Sequence, residues 1–311
     1  MLLRLNRLNS APAIQPCAII LLLGLALGSC QPPTPRATLD VVYPNGTHKA
    51  LVMSYDDGPV EDRALARLFT EHGIVGTFNV NSGFLGTIGA WPVKGKDTVY
   101  QAYLPVEDVL TVYAGHEVAG HGTYHQDFTS LNQAELEAEI RTDKQALELL
   151  VGHSIVSLAY PFGKNNRRVA KTTGEQGYTN ARTVADTHGF DLPRDWLRWD
   201  PTCHDSQAVK LLDAYAALPA TGLAVFCVWG HAWELKDPAR WDGVAAFCQS
   251  IGDRDDTWYT GAGELAAYGQ AVQALQYTPG KCTNPSGNAP IHYLASGERL
   301  VLLPGERVFL P

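Results

Sequence analysis

The chain has 311 residues, of which 45% are apolar and 18% are charged, and its formal net charge is −8. This is the composition of a globular protein, so wholesale disorder and a fibrous repeat are excluded. No run of five or more basic residues occurs, which argues against a nucleic-acid partner.

The N-terminal segment 1–29 resembles a secretory signal peptide. Two arginines precede an apolar run at 18–27, which is too short for a comfortable membrane span. The Leu-Gly-Ser-Cys sequence that ends at Cys30 resembles a bacterial lipobox, in which the cysteine carries the lipid. We expect an exported protein, periplasmic or at the cell surface, attached to a membrane only through lipid on Cys30 and a tether at 30–47. Signal cleavage nearby without lipidation is the alternative.

Four cysteines remain beyond the signal segment and the lipobox, namely Cys203, Cys227, Cys248 and Cys282. An even number in an exported protein allows two disulfides, with three possible pairings. Buried free thiols are an equally good interpretation, and the spacing does not match a metal finger.

From residue 48 onward the sequence alternates between β-rich runs and amphipathic helices. Strands are predicted at 49–55, 76–80, 117–119, 156–160, 178–182, 223–229 and 257–259. Helices are predicted from about 60, at 106–114, 131–150, 166–176, 239–251 and 263–275. Ser130 and Gln133 have the spacing of a capping box at the start of the longest helix. Strands that alternate with helices imply an α/β fold with a parallel sheet.

The tail of the chain has a different pattern. Two β-like runs at 291–293 and 300–303 flank Ser296-Gly297, which predicts a small hairpin. We therefore expect a catalytic domain at 48–282 followed by a C-terminal β extension at 283–311.

Four polar clusters come directly after predicted strands, at the edge where parallel α/β folds place their sites. They are Asp56-Asp57-Gly58-Pro59, His121-Gly122-Thr123-Tyr124-His125, Tyr160-Pro161-Phe162-Gly163 and Trp229-Gly230-His231. The two histidines of the second cluster are four residues apart, so both can face one metal ion. With one carboxylate they form a ligand triad that leaves positions open for water and substrate. Taken singly, each cluster could also have a purely structural role, as a turn, a solvated helix face or a core histidine.

Taken together, the clusters resemble the NodB-homology polysaccharide deacetylases, carbohydrate esterase family 4. The segment 54–59 is similar to the family's T-F-D-D-G-P motif, 121–125 to H-[ST]-x-x-H, and 161–163 to P-[YF]-G. His231 stands where the family's late histidine lies, and the four matches occur in the family's order. The segment Asn284-Pro285-Ser286 is similar to a segment near the end of the chain in one bacterial branch of the family. With the lipobox-like sequence at Cys30, the resemblance is to a lipoprotein-like bacterial member.

The resemblance implies a deformed (β/α) barrel, seven-stranded, that removes acetyl groups from a carbohydrate polymer or oligosaccharide by metal-dependent hydrolysis. It also implies one divalent metal ion, expected to be Zn²⁺, with Asp57, His121 and His125 as its ligands. A monomer is expected.

The same resemblance implies three catalytic roles. Asp56 would be the general base, His231 the general acid, and the backbone N–H of Phe162 would help to hold the oxyanion. An acid that titrates near neutrality suits an amine leaving group, which must be protonated to depart.

Two departures from the family pattern stand out. Ala159 occupies the position of the arginine that pairs with the catalytic base, and Arg182 or Arg198 are candidates to replace it. Of the family's fourth motif only Asp195-Trp196 remains. The candidate substrate contacts in the cleft are Trp229, Trp233, Tyr160, His204 and Arg182, for each of which a structural role is the alternative.

Three functions are compatible with these residues. The first is removal of N-acetyl groups from amino sugars, and the second is O-acetyl ester hydrolysis, as on acetylated xylan. The third is a degenerate lipoprotein that only binds glycan; the intact set of five acids and histidines argues against it.

Overall fold

The computed structural model describes residues 38–91 and 98–310. The predicted signal peptide, Cys30 and the first part of the predicted tether lie outside the described residues. No helix within 38–91 and 98–310 has both the length and the apolar character needed to cross a membrane.

The described part of the chain contains seven α-helices and sixteen strands. The helices are α1 (Asp62–Glu71), α2 (Val109–Val112), α3 (Gln133–Val151), α4 (Arg167–Glu175), α5 (Asp205–Ala216), α6 (Pro238–Ile251) and α7 (Ala262–Gln273). The strands are β1 (Asp40–Val42), β2 (Lys49–Asp57), β3 (Gly76–Val80), β4 (Ile88–Trp91), β5 (Val99–Ala102), β6 (Glu117–Gly120), β7 (Ser157–Ala159), β8 (Asn180–Arg182), β9 (Cys203–His204), β10 (Ala224–Gly230), β11 (Thr257–Tyr259), β12 (Gln276–Thr278), β13 (Lys281–Thr283), β14 (Ile291–Ala295), β15 (Glu298–Leu302) and β16 (Arg307–Phe309).

The main sheet is parallel and has the order β8-β7-β6-β3-β2-β10-β9. An eighth short strand, β11, pairs in parallel with the first three residues of β2. This sheet, with helices between its strands, confirms the predicted deformed (β/α) barrel of seven strands, to which β11 adds an eighth. Parallel pairing places the carboxyl ends of all these strands at one edge, and that edge carries the candidate site.

Strand β2 lies at the centre of the sheet and is buried on both faces. Its alternate residues Leu51 and Met53 pack into one hydrophobic cluster, whereas Ala50 and Val52 pack into a second cluster on the other face. Burial on both faces explains why β2 reads as a continuous apolar run before its two carboxylates.

The predicted C-terminal hairpin is confirmed as β14 and β15. Its two-residue turn, Ser296-Gly297, has positive φ at both positions (53° and 83°), as a tight hairpin turn requires. The hairpin is not a free appendage, because β14 also pairs with β1. The predicted tether therefore extends too far: Asp40–Val42 is a strand of the folded body, and Val42 is fully buried.

Two other local predictions differ from the structure. The capping box of α3 is formed by Asn132 and Glu135 rather than by Ser130 and Gln133, because the helix begins two residues later than predicted. Helix α5 was not predicted, since its N-cap is His204 rather than one of the usual capping residues.

The four cysteines of the folded part are buried free thiols. Cys203 lies in one hydrophobic cluster and Cys227 in the other, on opposite faces of the sheet. The free-thiol interpretation is thus the one that the structure supports.

Candidate active site

The four predicted clusters meet at the carboxyl edge of the sheet. Asp56 and Asp57 end β2, His121 directly follows β6, and His231 directly follows β10. Phe162 lies in the one-turn 3₁₀ helix Pro161–Gly163 that follows β7. The elements that bring these residues together are therefore parallel strands of one sheet, whose carboxyl ends lie at the same edge.

The three residues expected to bind metal converge on one point. Oδ1 of Asp57 lies 3.6 Å from Nε2 of His121 and 3.7 Å from Nε2 of His125. The three ligand atoms all lie within 4.8 Å of one another. Asp57 and His125 both have positive φ (82° and 51°), a backbone conformation that non-glycine residues rarely adopt and that often marks functional sites.

The orientation and tautomer of His121 suit a metal ligand. Its Nδ1 hydrogen-bonds to the carbonyl oxygen of Ala159 at 2.7 Å, which fixes the tautomer and leaves Nε2 with its lone pair toward the cluster. That Nε2 atom is buried and has no hydrogen-bond partner among the described residues. Burial lowers the pKa of both His121 and His125 to about 4, so both imidazoles are neutral near pH 7, as ligation requires.

Two imidazoles and one carboxylate fit a zinc-type divalent ion. The orphaned Nε2 of His121 is the observation that favours such an ion, because a buried polar atom without a partner is costly. When bound there, the ion would be held by Asp57, His121 and His125.

The histidine loop is held in place by helix α3. The carboxylate of Asp143 accepts hydrogen bonds from the backbone N–H groups of His121 (3.1 Å) and Gly122 (3.0 Å). One turn earlier, Glu139 accepts the backbone N–H of Tyr124 at 2.7 Å. Sequence reasoning did not identify these two acids, although their i, i+4 spacing on one helix face was visible.

Asp56 is buried, and two side-chain donors hold its Oδ1 atom. Arg182 forms an ion pair with its Oδ1, and Nδ2 of Asn79 donates to the same oxygen at 2.9 Å. Burial by itself would raise the pKa of Asp56, but Arg182, His121 and His231 together hold it below its ordinary value. The carboxylate is therefore ionised and able to accept a proton.

Arg182 takes the place of the arginine that the family pattern has at position 159. Ala159 of β7 and Arg182 of β8 are direct neighbours across the two strands. The guanidinium thus reaches Asp56 from the adjacent strand, and its Nε donates to Oγ of Ser54 at 2.9 Å. Arg182 is only 3% exposed, so the prediction that it contacts substrate was wrong. Arg198, the other candidate, pairs instead with Asp195.

His231 is paired with an acid that sequence reasoning missed. Its Nδ1 lies 2.9 Å from Oε1 of Glu234. Burial would lower the pKa of His231, but the hydrogen bond to Glu234 and the charges of Asp56 and Asp57 raise it above the ordinary value. The i, i+3 spacing of His231 and Glu234 was the available sequence signal.

A second group of ligand-type residues lies next to the first. The donor atoms of His204, His231 and Glu234 lie within 4.8 Å of one another. However, Nη1 of Arg240 lies 2.7 Å from Glu234, and its Nη2 pairs with Asp205. A guanidinium already supplies positive charge here, so this group fits a hydrogen-bonded network better than a second metal site.

The remaining predicted substrate contacts have separate outcomes. Tyr160 is 1% exposed and donates its hydroxyl hydrogen to the carbonyl oxygen of Leu197, so it is a core residue and that prediction was wrong.

Trp229 and His231 line one cavity of about 270 Å³, together with Asp56, His121, His125 and Phe162. Trp233 is 37% exposed, and its indole N–H donates to Oδ2 of Asp57 at 2.9 Å. The ring of His204 contacts that of Trp229 edge-on, with ring centroids 4.7 Å apart.

Comparison with protein families matches residues 44–181 to the family described as polysaccharide deacetylase. Among solved structures, a Mycobacterium smegmatis protein assigned to the polysaccharide deacetylases is 16% identical, with a TM-score of 0.54, covering 78% of this chain and 97% of that one. The Puue allantoinase is 15% identical, with a TM-score of 0.56, covering 76% of this chain and 94% of that one.

A third structure covers less of both chains. The Streptococcus pyogenes deacetylase PplD in complex with acetate is 17% identical, with a TM-score of 0.40, covering 47% of this chain and 61% of that one. The chain thus spans less than two thirds of that protein's length. At these identities the first two likenesses show a shared fold.

Proposed function

Because residues 44–181 match the polysaccharide deacetylase family, we propose that the chain is a metal-dependent hydrolase that removes acetyl groups from a carbohydrate. The observation that carries the proposal is the convergence of Asp57, His121 and His125 within 4.8 Å beside an ionised, buried Asp56. A ligand triad next to a separate carboxylate is what hydrolysis by an activated water requires.

The adjacent acids Asp56 and Asp57 have different roles in this proposal. Asp57 directs Oδ1 toward the two imidazoles, whereas Asp56 is turned toward Arg182 and Asn79. A divalent ion held by the triad would polarise the carbonyl and lower the pKa of water. Asp56 then takes the proton from the attacking water, because its depressed pKa keeps it ionised.

Protonation of the leaving group falls to His231. The hydrogen bond to Glu234 and the charges of Asp56 and Asp57 raise the pKa of this imidazole and so favour its protonated form. Glu234 also fixes the orientation of the ring through Nδ1, so that Nε2 is available as the proton donor. A protonated acid is needed most when an amine departs, which favours N-acyl over O-acyl substrates. The backbone N–H of Phe162, in its left-handed conformation (φ 59°), would help to stabilise the oxyanion.

The fold by itself does not select the substrate. The Puue allantoinase shares it, and one fold commonly supports several chemistries. The choice of a carbohydrate substrate rests on the family match of residues 44–181 and on the aromatic side chains around the cleft.

The test is acetate release by the metal-loaded protein from matched N-acetylated and O-acetylated glycans. We expect release from N-acetyl amino-sugar oligomers, with O-acetylated xylan the poorer substrate. Faster release from the O-acetylated glycan would support an esterase instead. Glycan binding without acetate release from either substrate would support the degenerate binding protein.

We also propose that the protein is exported as a monomer and anchored by lipid on Cys30. The proposal is supported by the lipobox-like sequence that ends at Cys30. Cys30→Ala should move the protein from the membrane fraction to the soluble fraction. A wild-type mature chain that begins at any other residue would contradict the proposal.

A further inference from the structure

A second cavity, of about 360 Å³, also borders the ligand triad. Asp57, His125 and Phe162 line it, and the last two also line the 270 Å³ cavity that contains His231. The two cavities therefore meet over the rings of His125 and Phe162, whose centroids are 4.4 Å apart. A substrate centred on the triad would extend into both.

The walls of the larger cavity are apolar. They are formed by the rings of Phe84, Tyr103 and Trp233 and by Val99. The indole N–H of Trp233 is already donated to Asp57, at 2.9 Å. Gln101, which also lines the cavity, is likewise hydrogen-bonded: its Nε2 donates to Glu61 at 2.8 Å, and its Oε1 accepts from Lys236 at 3.2 Å.

Such walls suit a hydrocarbon group better than a sugar ring. Sugar hydroxyls lose hydrogen bonds to water when they are buried and need partners in return. Ligand cavities of a few hundred cubic ångströms with aromatic walls are typical sites for apolar groups. An acetyl methyl group would fill only a small part of this volume.

The position of the acid determines which side of the substrate enters this cavity. His231 lines the smaller cavity with Asp56 and Trp229, and it is absent from the lining of the larger one. Because His231 must protonate the leaving nitrogen, the amino sugar belongs in the smaller cavity. The substituent on the other side of the carbonyl carbon then points into the larger cavity.

We propose that the larger cavity is an acyl cavity that binds a chain longer than acetyl, so that the enzyme is an N-deacylase for amino sugars with acyl groups of several carbons. This inference rests on the proposed function and specifies its substrate class. In the reaction, the amide C–N bond breaks and a C–O bond forms from water. The products are the free amino sugar and a carboxylic acid.

The first test is a series of glucosamine oligomers that differ only in their N-acyl group: acetyl, butyryl and hexanoyl. Amine release is measured with the metal-loaded protein. Each buried methylene is expected to raise kcat/KM roughly fourfold, so butyryl, with two more methylenes, should exceed acetyl by about sixteenfold. A steady decline from acetyl to hexanoyl would overturn the inference and leave the proposed deacetylase intact, whereas no amine release from any member would count against the proposed function itself.

Binding of the product acids gives a readout that does not depend on turnover. Trp233 lines the acyl cavity, so its fluorescence should report occupancy by acetate, butyrate or hexanoate. Hexanoate should bind more tightly than acetate by at least tenfold. Equal affinities for the three acids would contradict the inference even if the enzyme proved inactive on every glycan.

A matched pair of variants localises the effect. Val99→Trp should fill the acyl cavity and lower the ratio of hexanoyl to acetyl kcat/KM by at least tenfold. Val106→Trp is the control, since Val106 is equally exposed (48% against 49%) and does not line the cavity. A ratio that falls equally in both variants, or in neither, would overturn the assignment.

One further experiment distinguishes binding of the acyl group in the larger cavity from binding of the leaving group there. If a phenyl aglycone on N-acetylglucosamine raised kcat/KM while acyl length had no effect, the cavity would serve the leaving group. That result would overturn the acyl assignment.

Discussion

At the scale of single residues, the two adjacent carboxylates at the end of β2 make different contacts. Asp57 faces His121 and His125, whereas Asp56 faces Arg182 and is 2% exposed. The positive φ of Asp57 gives its side chain a different direction from that of Asp56.

The two carboxylates should therefore respond differently to the same change. Asp56→Asn removes the base and keeps the triad, so metal content should stay near wild type while kcat falls by about 10²–10⁴. Asp57→Asn weakens an anionic ligand, so metal affinity should fall and excess metal should restore part of the activity. Metal analysis beside kinetics checks both. Metal loss in Asp56→Asn with retention in Asp57→Asn would reverse the assignment.

Glu234 should act through the acid rather than on the substrate. Because its hydrogen bond raises the pKa of His231, Glu234→Gln should lower that pKa. The acid is active when protonated, so the alkaline limb of the kcat/KM profile should move to lower pH. The acidic limb, which reports the base, should move much less.

The control for that variant is Glu175→Gln, a carboxylate whose partner is Lys171 on the exposed face of α4. Its pH profile should match the wild type. An alkaline limb that stays in place in Glu234→Gln would show that Glu234 does not set the protonation of His231.

At the scale of secondary-structure elements, the arginine that pairs with Asp56 comes from β8, one strand away from the position of the arginine in the family pattern. Arg182 of β8 lies directly across from Ala159 of β7, so the two positions can present a guanidinium to nearly the same place. Sequence reasoning offered Arg182 and Arg198 equally, because strand register is not visible in a single sequence.

Removal of this arginine should raise the pKa of Asp56, because a buried carboxylate would lose its largest compensating charge. In Arg182→Ala the acidic limb of the kcat/KM profile should move to higher pH. The free energy of unfolding should fall by about 3–5 kcal/mol, as expected when one partner of a buried ion pair is lost. The double variant Ala159→Arg, Arg182→Ala should recover part of both losses.

Arg198→Ala is the control, because Arg198 is half-exposed and pairs with Asp195 rather than with Asp56. Neither its pH profile nor its stability should change appreciably. If Arg182→Ala left the acidic limb where it is in the wild type, the ion pair would not be tuning Asp56.

At the scale of the whole molecule, the sequence predicts the sheet and the edge that carries the site. The apolar run before Asp56 and the alternation of strands with helices are local patterns, and the structure has both. The features that the sequence did not predict depend on contacts between residues far apart in the chain. Strand β1 forms because it pairs with β14, some 250 residues later in the chain, and the partner of Asp56 depends on the register of β7 and β8.

In the candidate site, too, the local features could be predicted from the sequence and the features that depend on long-range contacts could not. The spacing of His121 and His125 is local, so the pair could be recognised. The acyl cavity could not be, since Phe84, Val99 and Trp233 come from three separate segments that meet only in the fold. Tyr160 was misassigned for a related reason, since its position beside a motif did not show that its ring points into the core.

The cysteines give a test of the folded body as a whole. Burial raises the pKa of the Cys203, Cys227 and Cys248 thiols to about 12 and also raises that of Cys282. A chain that begins at Thr38 should therefore not react with a thiol reagent at pH 8 while folded. After denaturation without reductant, all four thiols should react, and a lower count would reveal a disulfide.

The measurement that tests the central claim most directly is a metal titration of the chelator-treated protein, followed by amine release from an N-acylated glucosamine oligomer. The account predicts no activity without metal and a linear recovery that stops at one equivalent of Zn²⁺ per chain. His121→Ala should abolish that recovery. Full activity after metal removal would contradict the account, and so would recovery that needs two equivalents, which would assign a second ion to His204, His231 and Glu234.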